Sequence, residues 1–234
     1  MSFVISVYVP ECIVMATDSR QSLKVEWKDP DKKSSPVETV SSDSIQKLFY
    51  LKDHQVGIAT YGECMPGHRP IGSFLDRFSS EIVEPEDTVS GIAGKLKGFF
   101  FSAFPGLDTS FQVAGYEKQA KQRVPHVYHV HARQVKRVNV KEGTEEVVFG
   151  CTWGGEADVM RQLLLSPGAP PVLWDSFSPQ DAVDFALYSL RTTIDTMRFQ
   201  ARLKTVGGPV DILMLNPKEG FFIQKKSVHA GNPE

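Results

Sequence analysis

The chain has 234 residues, of which 41% are hydrophobic and 23% charged, with a formal net charge of -2. These values describe an ordinary globular protein with room for a substantial core, and they exclude the strong basic excess of a dedicated nucleic-acid binder. Three cysteines, at 12, 64 and 151, form no CxxC pair and no disulfide framework, which fits a reducing cytoplasm.

The apolar alternation of residues 3–9 predicts a strand, and a turn at Pro10 and Glu11 leads to a second strand over 12–17. This start has no basic leader and is broken by Pro10 and Glu11, so it does not read as a signal peptide, and no apolar run in the chain is long enough to span a membrane. The hairpin brings Asp18 and Arg20 back toward the chain start, where Ser2 follows Met1. Removal of Met1 would leave Ser2 carrying both a hydroxyl nucleophile and an α-amine base. Residues 22–42 are polar, contain Pro30 and Pro36, and read as one long loop.

Strands at 47–51 and 56–61 form a second hairpin. Helix periodicity follows over 71–82, with Phe74, Leu75, Phe78 and Ile82 on one face, and over 89–104, with Asp87 as its N-cap. Further strands are expected at 110–115, 124–130, 135–140 and 146–149. Two helices come next, at 155–165 and, after Ser178 and Pro179 as N-cap and N1, at 180–199. Strands at 210–215 and 221–224 close the chain, and residues 227–234 read as a mobile tail. The order predicts an α+β fold in one domain over 1–226, with two antiparallel sheets between helix layers.

Other motifs have simpler readings. His129 and His131 alternate onto one strand face, where a metal pair is conceivable, but no carboxylate or cysteine accompanies them, so a solvated face is the reading and no metal or cofactor is expected. Gly207, Gly208 and Pro209 precede a strand and lack the strand–loop–helix order of a phosphate site. Arg20 reads as the partner of Asp18.

Four stretches in this order resemble the proteasome β-subunit group of N-terminal-nucleophile hydrolases, including its bacterial relatives. They are residues 13–20 (IVMATDSR), 46–51 with 57–62 (QKLFYL and GIATYG), 149–155 (FGCTWGG), and 207–215 continuing through 218–220 (GGPVDILML and KEG). The resemblance implies the four-layer αββα sandwich and assembly into homo-oligomeric rings. It also implies a peptide or protein substrate, with an ATPase as a further partner that it allows.

By that resemblance Ser2 falls at the nucleophile, Asp18 at the orienting acid, and Gly62 at the glycine whose backbone supports substrate and oxyanion, with Arg20 close by. Cys151 falls where a hydroxyl residue holds the N-terminus, and Asp195 is the counterpart of a second acid. The lysine of the pattern is expected four residues before Lys47, which is Asp43. A carboxylate there would hold the Ser2 amine as ammonium. Lys32, Lys33, Lys47 or Lys204 would then have to supply the missing charge. Three functions stay open at this stage: a peptidase acting by acyl-enzyme chemistry, a non-catalytic subunit of the same fold, and an amidase acting on a small molecule.

Overall fold

The computed structural model describes residues 2–27 and 35–227. The fold is α+β. Among the described residues the strands form two five-stranded antiparallel sheets and a separate two-stranded hairpin.

The first sheet is built on the opening hairpin, β1 (Phe3–Tyr8) and β2 (Ile13–Thr17), every residue of which is buried. Its order is β10-β1-β2-β11-β12, with β10 at Gly150–Gly155, β11 at Asp211–Leu215 and β12 at Gly220–Gln224. The last hairpin is as expected. The first sheet's edge is not, because the strand was expected at 146–149. Instead Gly150–Gly155 pairs along β1 from Tyr8 to Phe3, and the preceding segment contributes one isolated bridge, Val140 to Val147. Three glycines in six residues hide the strand from propensity. They also serve its packing: a Cβ on Gly154 would lie 2.4 Å from the Tyr61 ring.

The second sheet runs β5 (Leu48–Leu51), β6 (Val56–Gly62), β7 (Thr109–Gln119), β8 (Gln122–Val130) and β9 (Val135–Arg137) in sequence order. Between β2 and β5 lies the hairpin of β3 (Gln21–Trp27) and β4 (Ser35–Ser42). This corrects the single long loop expected over 22–42. Lys32 and Lys33 lie outside the described residues, as does the expected tail beyond Ser227.

Helices α1 (Ile71–Glu81) and α2 (Val89–Ala103) bury Leu75, Phe78, Ile92, Leu96 and Phe100 against Ile58, Phe111 and Val113 of the second sheet. The α2 N-cap is Thr88, whose hydroxyl accepts from the Gly91 N–H, and not the expected Asp87. Asp87 instead accepts from the Glu84 N–H and pairs with Lys95. Helices α3 (Asp158–Leu164) and α4 (Pro179–Phe199) cover the first sheet, with Ala182, Ala186, Leu190 and Met197 against Ile5, Val7, Val14 and Ile212. Ser178 is the N-cap of α4 and Pro179 its first residue, as expected, and Ser178 forms a capping box with Asp181.

A third apolar cluster joins Val4, Ile13, Met15 and Leu213 of the first sheet to Leu48, Ala59, Ala114 and Val127 of the second. Here Ser6 donates to Gln112 at 2.6 Å, and Thr152 and His129 share a 2.7 Å hydrogen bond between the sheets.

Candidate active site

The site sits where β1 begins and β2 ends. Antiparallel pairing sets Val4 opposite Thr17, so Asp18 lies beside Phe3, the residue after Ser2. The Phe3 N–H donates to Asp18 Oδ1 at 3.1 Å. Ser2 is 1% exposed, and its carbonyl accepts from the Glu156 N–H at 2.8 Å. Gly155, just before Glu156, makes that approach possible. It has φ +85°, and a Cβ there would lie 1.8 Å from the Ser2 carbonyl oxygen.

Asp18 is completely buried and fully used. Oδ1 accepts from Phe3 N and from Lys47 Nζ at 2.8 Å, and Oδ2 accepts from the N–H groups of Arg20 and Gly207, each at 3.1 Å. Lys47 is also completely buried and donates a second bond to the Arg20 carbonyl oxygen. Of the lysines considered for the missing charge, Lys47 is the one that meets Asp18. Lys47 lies just before β5, its carbonyl accepts from the Thr60 N–H at 2.9 Å, and its ammonium enters the site from there.

Asp43 does not face Ser2 as a lone carboxylate. It binds the Arg20 guanidinium through two bonds, Nε to Oδ1 at 2.6 Å and Nη2 to Oδ2 at 2.8 Å. These hydrogen bonds hold the Asp43 carboxyl below the usual carboxylate range and raise Arg20. Arg20 is thus the partner of Asp43, not of Asp18, and only its main-chain N–H reaches Asp18.

Two expected site residues lie elsewhere. Cys151 pairs with Val7, while Gly155 pairs with Phe3. That puts Cys151 roughly 13 Å along the strand from the chain start, at about 3.3 Å per residue. It lines a different cavity of about 470 Å³ with Tyr8, Trp153 and Trp174, and burial pushes its thiol up to about 12. Asp195 is on the exposed face of α4 and makes no hydrogen bond or ion pair among the described residues. Glu156 meets Ser2 through its main-chain N–H, while its carboxylate accepts from Thr205 Oγ1 at 3.0 Å and pairs with Arg202 at 3.5 Å.

Gly62 has φ +98°, and a Cβ there would lie 2.3 Å from the Asp108 carbonyl oxygen. The next residue, Glu63, donates its N–H to that same oxygen at 2.7 Å, which fixes the turn. Cys64 follows, half-buried, and sequence reading missed it. Burial raises its thiol, while the Lys47 ammonium opposes the rise and the Asp18 carboxylate adds to it, so this thiol lies within the field of the pair. Of the two strand histidines, His129 bonds Thr152 and His131 falls in the turn after β8.

No family model matches the chain, and no curated protein matches it. Solved structures do. Anbu (ancestral beta-subunit) from Yersinia bercovieri has a TM-score of 0.59 at 14% identity, over 95% of this chain and 87% of that one. A Gly-1 mutant of Anbu from Hyphomicrobium sp. strain MC1 has a TM-score of 0.59 at 13% identity, over 97% and 86%. Anbu from the same strain gives 0.59 and 13%, over 96% and 86%. These findings correct the placement with the proteasome β-subunit group that the sequence stretches suggested. At this identity the likeness is one of fold. In fold, the chain is similar to Anbu, an ancestral beta-subunit.

Proposed function

We propose that the chain is an N-terminal-nucleophile amide hydrolase in which Ser2, freed by removal of Met1, attacks a peptide carbonyl. The observation that carries this reading is the buried Lys47–Asp18 pair, tied through the Phe3 N–H to the residue beside Ser2. Asp18 orients the chain start. Lys47 is a fixed positive charge, and a neighbouring ammonium favours the neutral form of the Ser2 α-amine, whose ordinary pKa is about 7.7–8.0.

The amine accepts the proton from Ser2 Oγ as that oxygen bonds to the carbonyl carbon. The oxyanion rests on backbone N–H groups near Gly62. Collapse breaks the C–N bond, and the departing amine takes the proton back from the α-ammonium. Water then hydrolyses the ester and restores Ser2.

The three apolar clusters, one between the sheets and one on each outer face, support reading the layers as an αββα sandwich. Leu165, Leu173, Tyr188 and Phe199 are exposed on or beside α3 and α4, which supports a homo-oligomeric particle with that side as a contact. No described helix is long and apolar enough to cross a membrane. We place the protein in the cytoplasm on its unpaired cysteines.

The test is hydrolysis of a set of fluorogenic peptide amides by the purified chain, alone and with Ser2→Ala. Cleavage that vanishes in Ser2→Ala supports the reading. Cleavage that survives the substitution, or none with any member of the set, contradicts it.

A further inference from the structure

We propose that Arg20 and Asp43 form a positioning clasp that holds the Lys47 ammonium in place against Asp18. Its consequence for catalysis rests on the hydrolase reading above, while its geometry stands without it.

Arg20 touches both members of the buried pair through its main chain. Its N–H donates to Asp18 Oδ2 at 3.1 Å, and its carbonyl oxygen accepts from Lys47 Nζ. A peptide unit that serves both charges must keep its orientation, and the Arg20 side chain supplies the tether. The planar fork grips Asp43 through two bonds, at 2.6 and 2.8 Å, and Nη1 donates to the Lys204 carbonyl at 3.2 Å. One residue thereby joins the end of β2, the segment before β5 and the segment before β11.

The neighbouring turn leaves the clasp little freedom. A Cβ on Gly207 would lie 2.6 Å from Arg20 Cζ, and one on Gly208, at φ +74°, 2.5 Å from the Asp43 carbonyl oxygen. The Gly207 N–H itself donates to Asp18. The main chain closes the same joint, with Ile45 N–H to the Ser19 carbonyl and Ser19 N–H to the Gly207 carbonyl, both at 3.0 Å. The sequence cost of this packing is two adjacent glycines facing the clasp.

The clasp also balances charge. Asp43 alone would add a negative charge beside Lys47, and Arg20 cancels it. The other titratable or charged groups around this corner are Asp18, Lys47 and Cys64, with Glu156, Arg202 and Lys204 on the side of Ser2 and the segment before β11. Removing one member of the clasp therefore has a sign. Asp43→Asn leaves a net positive charge, which lowers the pKa of an amine base. Arg20→Gln leaves a net negative charge, which raises it.

Two readouts test this. The first is the pH profile of peptide-amide hydrolysis. The acid limb should move down in Asp43→Asn and up in Arg20→Gln, each by about half a pH unit, and return in the double variant. Asp43→Glu should recover most of the rate that Asp43→Ala loses. Limbs that stay in place, or move in the same direction, overturn the proposal, because a merely structural pair has no reason to shift them oppositely. The second readout is the crystal structure of Asp43→Ala, in which the Lys47 Nζ–Arg20 O contact should open beyond about 3.5 Å. A contact that stays closed overturns the clasp. If the wild-type chain cleaves nothing, the hydrolase reading fails, and the structure of Asp43→Ala still decides the clasp.

Discussion

Lys47 and Asp18 are each sealed from water, so neither charge has a substitute if the other is removed. Deleting one member of a buried ion pair costs about 3–5 kcal/mol. Lys47→Ala should therefore lower stability on that scale and reduce peptide cleavage at least ~10²-fold, beyond what the folded fraction explains. Denaturant unfolding beside initial rates separates the two effects. Lys47→Arg should fold better than Lys47→Ala and still be impaired, since a planar fork does not reproduce one ammonium bonded to a carboxylate and a carbonyl. Gly155→Ala meets a different obstacle, because its Cβ would fall 1.8 Å from the Ser2 carbonyl. A stability loss of at least about 2 kcal/mol is expected, read from the same unfolding curves.

The pairs of strands and helices explain what could and could not be read ahead. The opening and closing hairpins were legible because each is a pair of short apolar runs joined by a polar turn, and both faces of β1 and β2 meet a core. So was α4, whose start at Ser178 and Pro179 is local in sequence. The β10 strand was not, since its glycines are chosen by contacts to Ser2 and Tyr61 that lie far away in the chain. That Asp18 returns to the chain start was legible from the opening hairpin. Lys47 was one of four lysines named for the missing charge, and sequence alone could not choose it because the β3–β4 hairpin lies between it and Asp18.

At the same scale, His129 ties β8 to Thr152 of β10 and so links the sheets. Burial, helped by Lys136, holds its pKa below the ordinary value. The unfolded chain therefore binds a proton near pH 6.5 that the folded one refuses, so this stability is full above about pH 6.5 and is lost as pH falls toward the folded value. His126 is lowered too, by burial and then Arg137, against the opposite pull of Glu117. Thermal midpoints should drop between pH 7 and pH 5, and His129→Gln should shrink that drop. An undiminished drop would assign the acid sensitivity elsewhere.

For the whole molecule, the most exposed large apolar side chains, Leu165, Leu173, Tyr188 and Phe199, lie on or beside α3 and α4. Light scattering should give a mass that is a multiple of the 26.0 kDa chain, and Leu165→Glu with Leu173→Glu should reduce it. A lone monomer at every concentration would remove the assembly reading while leaving the chemistry of Ser2 intact. That chemistry is tested most directly by intact mass after exposure to a peptide epoxyketone, which needs a free α-amine and a hydroxyl on the same residue. The account predicts a chain lacking the mass of Met1 and carrying one inhibitor, with the adduct on Ser2 and absent from Ser2→Ala. A chain that keeps Met1, or an adduct that persists in Ser2→Ala, would contradict it.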